Sequence, residues 1–127
     1  MIFSIKKFFK SVKFAFKGIS SIYKTEQNFR FQVFTSFFVI FLIIFFKVSL
    51  KEIIVLILMI SFVLIMEIIN SAFEKIADMF KPRIHVYAEI VKNIMAGAVL
   101  ISSLTALVIG IIIFYPYILD FLIKISQ

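Results

Sequence analysis

Three long apolar runs alternate with short polar breaks along most of the chain. Phe29 to Phe46 is almost wholly apolar over a length close to the roughly 20 residues that a bilayer requires. Lys47-Val-Ser-Leu-Lys51-Glu52 then makes a short polar turn. A second run starts at Ile53 and keeps helical periodicity to Met79, which is longer than hydrocarbon needs. Its last turns are therefore expected to stand out of the membrane. Lys81-Pro82-Arg83 ends it, since proline disfavours helical backbone at the residue before it. A third run covers 84–114, opening on a polar section with His85, Glu89, Lys92 and Asn93. Pro116 marks its end and leaves Asp120 and Lys124 in a short tail. The pattern predicts transmembrane helices over 29–46, 53–79 and 84–114.

Residues 1–24 follow a different pattern. Ile5, Phe8, Phe9, Val12, Phe16 and Ile19 fill one side of a helical wheel, and Lys6, Lys10, Lys13 and Lys17 fill a neighbouring stripe. This spacing predicts a basic amphipathic helix lying in the membrane interface, its lysines at headgroup level. It can serve as an anchor alone or add residues to a site. A signal peptide is a poor match, because the lysines recur as far as Lys24 and no small-residue cleavage pattern follows. Gly18 to Arg30 reads as a polar break, with Ser20, Ser21, Thr25, Glu26, Gln27 and Asn28. The expected architecture is one all-α integral membrane domain over 1–127, with an N-terminal surface helix and three spans.

Composition supports this and narrows the partners. The 127 residues are 63% hydrophobic, with 18 Phe and a mean hydropathy of +1.14, well above the roughly half-apolar content of a soluble domain. Without cysteine, disulfide and thiol chemistry are excluded, and a single histidine argues against a structural zinc site. The net charge of +7 fits anionic lipid headgroups, not nucleic acid, in a chain this apolar. Eleven of the fourteen Lys and Arg lie before the first run or between the second and third. That side is expected to be cytoplasmic, with the N-terminus inside and the C-terminus outside.

The second run carries an unusual stripe. Glu67, Asn70, Ser71, Glu74 and Asp78 step by three, four and seven, so they share one face of a helix. A carboxylate left charged in hydrocarbon costs several kcal/mol, so such residues point to function. Glu26 and the section from His85 to Asn93 fall in the same cytoplasmic layer. On the third run His85, Glu89, Lys92 and Ala96 share a face, and Ala96-Gly97-Ala98 forms a small surface for close helix approach.

Paired carboxylates can hold Mg²⁺ and leave positions for nucleotide phosphates. A desolvated carboxylate can take a proton from an alcohol, and a lysine can neutralise a transferring phosphoryl group. There is no Gly-rich phosphate loop. Plain ion pairing or solvated helix ends remain alternatives, chiefly for Lys75, Asp78 and Glu89. A transporter or channel subunit would need polar residues throughout the membrane depth. The outer halves of the spans carry little beyond Ser61, Ser102, Ser103 and Thr105.

Nearly the whole chain resembles the prokaryotic diacylglycerol kinase and undecaprenol kinase family of small membrane lipid kinases. The likeness runs through Ala15-Phe16-Lys17-Gly18, Glu26-Gln-Asn-Phe-Arg30, Glu67-Ile-Ile-Asn-Ser-Ala-Phe-Glu74, Asp78, His85, Lys92-Asn93 and Ala96-Gly97-Ala98-Val99. The E-x-x-N-[ST]-A-x-E element is its most specific part. The resemblance implies a homotrimer with active sites shared between subunits, transferring the γ-phosphate of MgATP to a lipid hydroxyl at the inner leaflet. It implies Glu67 as general base with Asn70 beside it, Glu26 and Glu74 as metal ligands, and Lys92 against the ATP phosphates. Lys10, Lys17, Glu26, Glu74, His85, Lys92 and Asn93 form the candidate nucleotide-binding set. Asn93 departs from the aspartate typical of the family, leaving either a retuned kinase or a weakened one serving as a scaffold. Arg83-Ile84 also replaces a common acidic-aromatic pair. The segment Thr25 to Arg30 and a proline shortly before the histidine resemble the undecaprenol kinase branch.

Overall fold

The structure, a computed structural model, describes residues 2–80, 83 and 85–127. These form four helices, α1 (Ile5–Thr25), α2 (Gln27–Phe46), α3 (Leu50–Met79) and α4 (His85–Ile125). The last three are long and apolar enough to cross a membrane. At about 1.5 Å per residue they measure roughly 30, 45 and 61 Å. Lys81 and Pro82, expected to break the second span, and Ile84, the expected start of the third, lie outside the described residues.

The polar break expected over Gly18 to Arg30 shrinks to one residue. Helix α1 starts at Ser4, whose Oγ accepts from the Lys7 N–H, and continues through Gly18 to Thr25. Glu26 alone is extended, and α2 starts directly after it. Serines and a threonine are compatible with helix when their hydroxyls find a carbonyl one turn back, as Thr25 does with Ser21. The corner is fixed from the far side: the Arg30 guanidinium donates to the carbonyls of Tyr23 and Lys24 at 3.1 and 3.0 Å, taking up acceptors that the end of α1 would leave unpaired.

Helix α2 ends at Lys47, which adopts the left-handed conformation (φ 50°) usually left to glycine. The Val48 N–H then reaches back to the Ile43 carbonyl, and Val48 turns into the protein. Helix α3 occupies the middle, packing against α2 and more extensively against α4. Its N-terminal half buries Leu56 with Ile43, Val48, Ile113 and Phe114 in one apolar cluster. Lipid tails are as apolar as these side chains, so close packing, not water exclusion, holds the cluster. Phenylalanines such as Phe31, Phe34, Phe37, Phe38 and Phe41 face outward, the surface that lipid would cover.

Helix α4 does not end at Pro116. It runs through the proline to Ile125, so the expected tail is helical. Proline removes one backbone N–H and crowds the carbonyl four residues back, at a cost of about 3 kcal/mol. The surrounding contacts offset this. Ile113 and Phe114 are anchored in the cluster, and the Phe121 ring sits 5.4 and 6.1 Å from those of Phe45 and Phe46. Tyr117 donates to Glu52 Oε2 at 2.5 Å, while Glu52 also accepts from Ser49 Oγ at 2.9 Å.

Candidate active site

The C-terminal half of α3 buries polar groups where the N-terminal half buries apolar ones. Glu67 and Ser71 are each 1% exposed, and Asn70 is 8% exposed. Among the described residues, Glu67 Oε2, Asn70 Oδ1 and Ser71 Oγ have no hydrogen-bond partner. Buried polar atoms are nearly always paired, so three together call for partners beyond the described side chains. Glu74, one turn further along the same face, is half-buried.

Glu26 reaches this group from another helix. As the corner between α1 and α2 it spends no side-chain oxygen on capping α2. With Glu74 it is a charged neighbour of Glu67. Two independent causes act on these carboxylates: the periodicity of α3 aligns Glu67 with Glu74, and the corner that Arg30 holds sets the position of Glu26. Of the residues expected to converge, Glu67, Asn70 and Glu74 share one face of α3, and Glu26 stands on the α1–α2 corner within electrostatic range of Glu67.

The α4 residues are arranged differently. Lys92 pairs with Asp78 across the α3–α4 hairpin, one turn past Glu74 toward the C-terminal end of α3. His85, Glu89 and Asn93 are exposed on α4, and Lys10 and Lys17 are exposed on α1, with the Lys10 ammonium over the Phe14 ring. Gly97 has no atom close to where a Cβ would stand, so no close helix approach is made at Gly97 among the described residues.

Alongside the carboxylates lies an open apolar groove of roughly 430 Å³, lined by Phe16, Tyr23, Phe29, Val33, Leu64 and Ile68 among others. Leu64 and Ile68 flank Glu67 on α3, while Tyr23 and Phe29 flank the Glu26 corner. The site therefore pairs a polar stripe with an open apolar groove. Its donors are oxygens throughout, which suits a hard cation. Mg²⁺ typically takes one or two protein carboxylates and leaves its other positions to phosphates and water. Two carboxylates, Glu26 and Glu74, with the orphaned Asn70 Oδ1 supply donors of that chemical type. Among the described residues, no three acidic or histidine side chains close into a cage of their own.

Residues 13–114 match the prokaryotic diacylglycerol kinase family. The chain belongs to that family. It is 30% identical over 112 residues to an undecaprenol kinase of Bacillus subtilis, which covers 88% of this chain and 91% of the relative. It is 31% identical over 114 residues to a diacylglycerol kinase of Synechocystis sp., covering 89% of this chain and 65% of that one. The chain is accordingly a membrane lipid kinase, as the E-x-x-N-[ST]-A-x-E element suggested. For this lipid kinase the family match stops at Phe114, so Tyr117 and Phe121, which hold the C-terminal end of α4, lie beyond the matched segment.

Three features of the kinase went unread in the sequence. Ser71 stood on the stripe, but its complete burial depends on α3 being central. The link of Lys92 to Asp78 was available as matching positions on facing helices, yet needed the hairpin to set the register. Arg30 carried a usable signal: a basic residue just after a helix end is well placed to take up its last carbonyls.

Proposed function

We propose that this lipid kinase transfers the γ-phosphate of MgATP to the hydroxyl of undecaprenol at the inner leaflet. The observation that carries this reading is the set of orphaned atoms at Glu67, Asn70 and Ser71 beside Glu26 and Glu74, next to the apolar groove. Glu67 acts as general base: its carboxylate takes the hydroxyl proton as the lipid oxygen bonds to the γ-phosphorus and ADP departs. Glu26 and Glu74 hold the cation, and Asn70 orients groups at the reacting end. Lys92 and the exposed Lys10, Lys17, His85 and Asn93 face the nucleotide from the cytoplasmic side. Bound MgATP supplies the phosphoryl group and the charge that offsets the crowded carboxylates. The groove seats the lipid chain so that its hydroxyl arrives next to Glu67.

Undecaprenol is favoured over diacylglycerol because Thr25 to Arg30 resembles that branch. The helix α1 lies in the interface with its lysines on anionic headgroups, the N-terminus is cytoplasmic and the C-terminus is outside. A homotrimer completes each site with groups from a neighbouring subunit. Asn93 supports a second reading, a kinase fold weakened into a scaffold.

One experiment separates these readings: ATP-dependent phosphorylation in mixed micelles, with undecaprenol and diacylglycerol offered separately, for wild type and Asn93→Asp. Wild-type transfer to undecaprenol is the expected result. Transfer to diacylglycerol alone would overturn the substrate assignment. Activity that emerges only in Asn93→Asp would favour the scaffold.

A further inference from the structure

The contact between Lys92 and Asp78 has a consequence for the cation seat. Lysine carries a compact charge on a flexible four-carbon stem, so it settles on whichever carboxylate within reach binds it best. Lys92 projects from α4 toward the polar face of α3, where Glu74 and Asp78 lie four residues apart and therefore one above the other. It is paired with Asp78, the more cytoplasmic of the two.

We propose that Asp78 is a positioning residue: by holding the Lys92 ammonium at the mouth of the stripe, it keeps that ammonium from occupying Glu74. This rests on the reading of Glu26 and Glu74 as the cation seat. A lysine bound to Glu74 would neutralise one of the two carboxylates that a divalent ion needs and would stand where the ion belongs. A partner one turn away removes that competition and leaves the lysine where an approaching polyphosphate meets it first. The two side chains differ in exposure, Lys92 at 26% and Asp78 at 55%, so the contact sits at an opening and not in the protein interior. Pairs so placed are weak, and the lysine can leave Asp78 when a phosphate arrives.

The test is Mn²⁺ binding to the purified full-length protein in detergent, read from the loss of the free-ion electron paramagnetic resonance signal. Wild type, Asp78→Asn, Asp78→Glu, Lys92→Met and the double variant Asp78→Asn/Lys92→Met are compared. The expected result is a dissociation constant about two- to five-fold weaker in Asp78→Asn. Asp78→Glu should retain wild-type affinity, and the double variant should match Lys92→Met. Removing Asp78 then matters only while the lysine is present, a dependence that simple loss of structure would not produce. Wild-type affinity in Asp78→Asn, or a loss that persists without Lys92, would overturn the assignment while leaving the cation seat intact. Absence of Mn²⁺ binding in wild type would instead remove the seat itself, and this inference with it.

Discussion

The Tyr117 hydroxyl donates to Glu52 Oε2 at 2.5 Å, joining a turn of α4 beyond its proline to the first turn of α3. The Ser49 N–H also donates to that hydroxyl, at 3.3 Å, so the α2–α3 turn is tied into the same knot. Tyr117→Phe keeps the ring against Phe46 and removes only the polar links. It should lower the thermal midpoint in detergent and speed amide exchange in the α4 turns after Pro116. Glu52→Gln combined with Tyr117→Phe should fall short of the sum of the two single effects, because they break one shared bond. Strict additivity would show that the contact does not couple the helices.

Glu67 is buried with two other carboxylates as its charged neighbours. Glu67→Gln keeps the shape and removes a charge that the protein holds at a cost. Lipid phosphorylation should drop about 10²- to 10⁴-fold, the range for loss of a general base. The thermal midpoint should stay level or rise. Retained activity would eliminate Glu67 as the base, and a falling midpoint would mean that its charge is paired within the folded protein.

Arg30 holds the corner that delivers Glu26. Arg30→Met should release the carbonyls of Tyr23 and Lys24, and hydrogen exchange should rise in the last turn of α1 while α3 is unchanged. Activity should fall with it, as Glu26 loses its fixed approach to Glu67. Unchanged exchange in α1 would assign the corner to packing alone.

Lys47 is a lysine in a left-handed conformation. Such a backbone costs a side-chain-bearing residue roughly 1–2 kcal/mol. Lys47→Gly removes that strain and adds freedom to the unfolded chain, for a net gain of about 0.5–1 kcal/mol. Reversible unfolding in mixed micelles measures it, and a loss of stability would mean that the Lys47 side chain itself supports the turn.

Much of this arrangement is legible before any coordinates. The stripe from Glu67 to Asp78 follows from helical periodicity, and the three apolar runs announce helices α2 to α4. What stayed hidden depends on contacts distant along the chain. Pro116 is a valid stop by local rules, yet α4 continues because Tyr117 and Phe121 find partners on α3 and α2. The polar residues from Gly18 to Arg30 read as a break, yet α1 runs on to Thr25 and only Glu26 leaves the helix. The pairing of Lys92 with Asp78 depends on the register between two helices, which neither helix encodes alone.

Helix α2 has few turns to spare. Its roughly 30 Å equals the thickness of typical hydrocarbon, whereas α3 and α4 are long enough to overshoot it. A mismatch in thickness therefore falls first on α2, which must tilt or draw its ends inward, while its longer neighbours slide turns across the boundary. Glu26 stands at the end of the short helix and Glu67 on one of the long ones. A change in bilayer thickness therefore bears first on the helix whose end carries Glu26, while Glu67 sits on one with turns to spare.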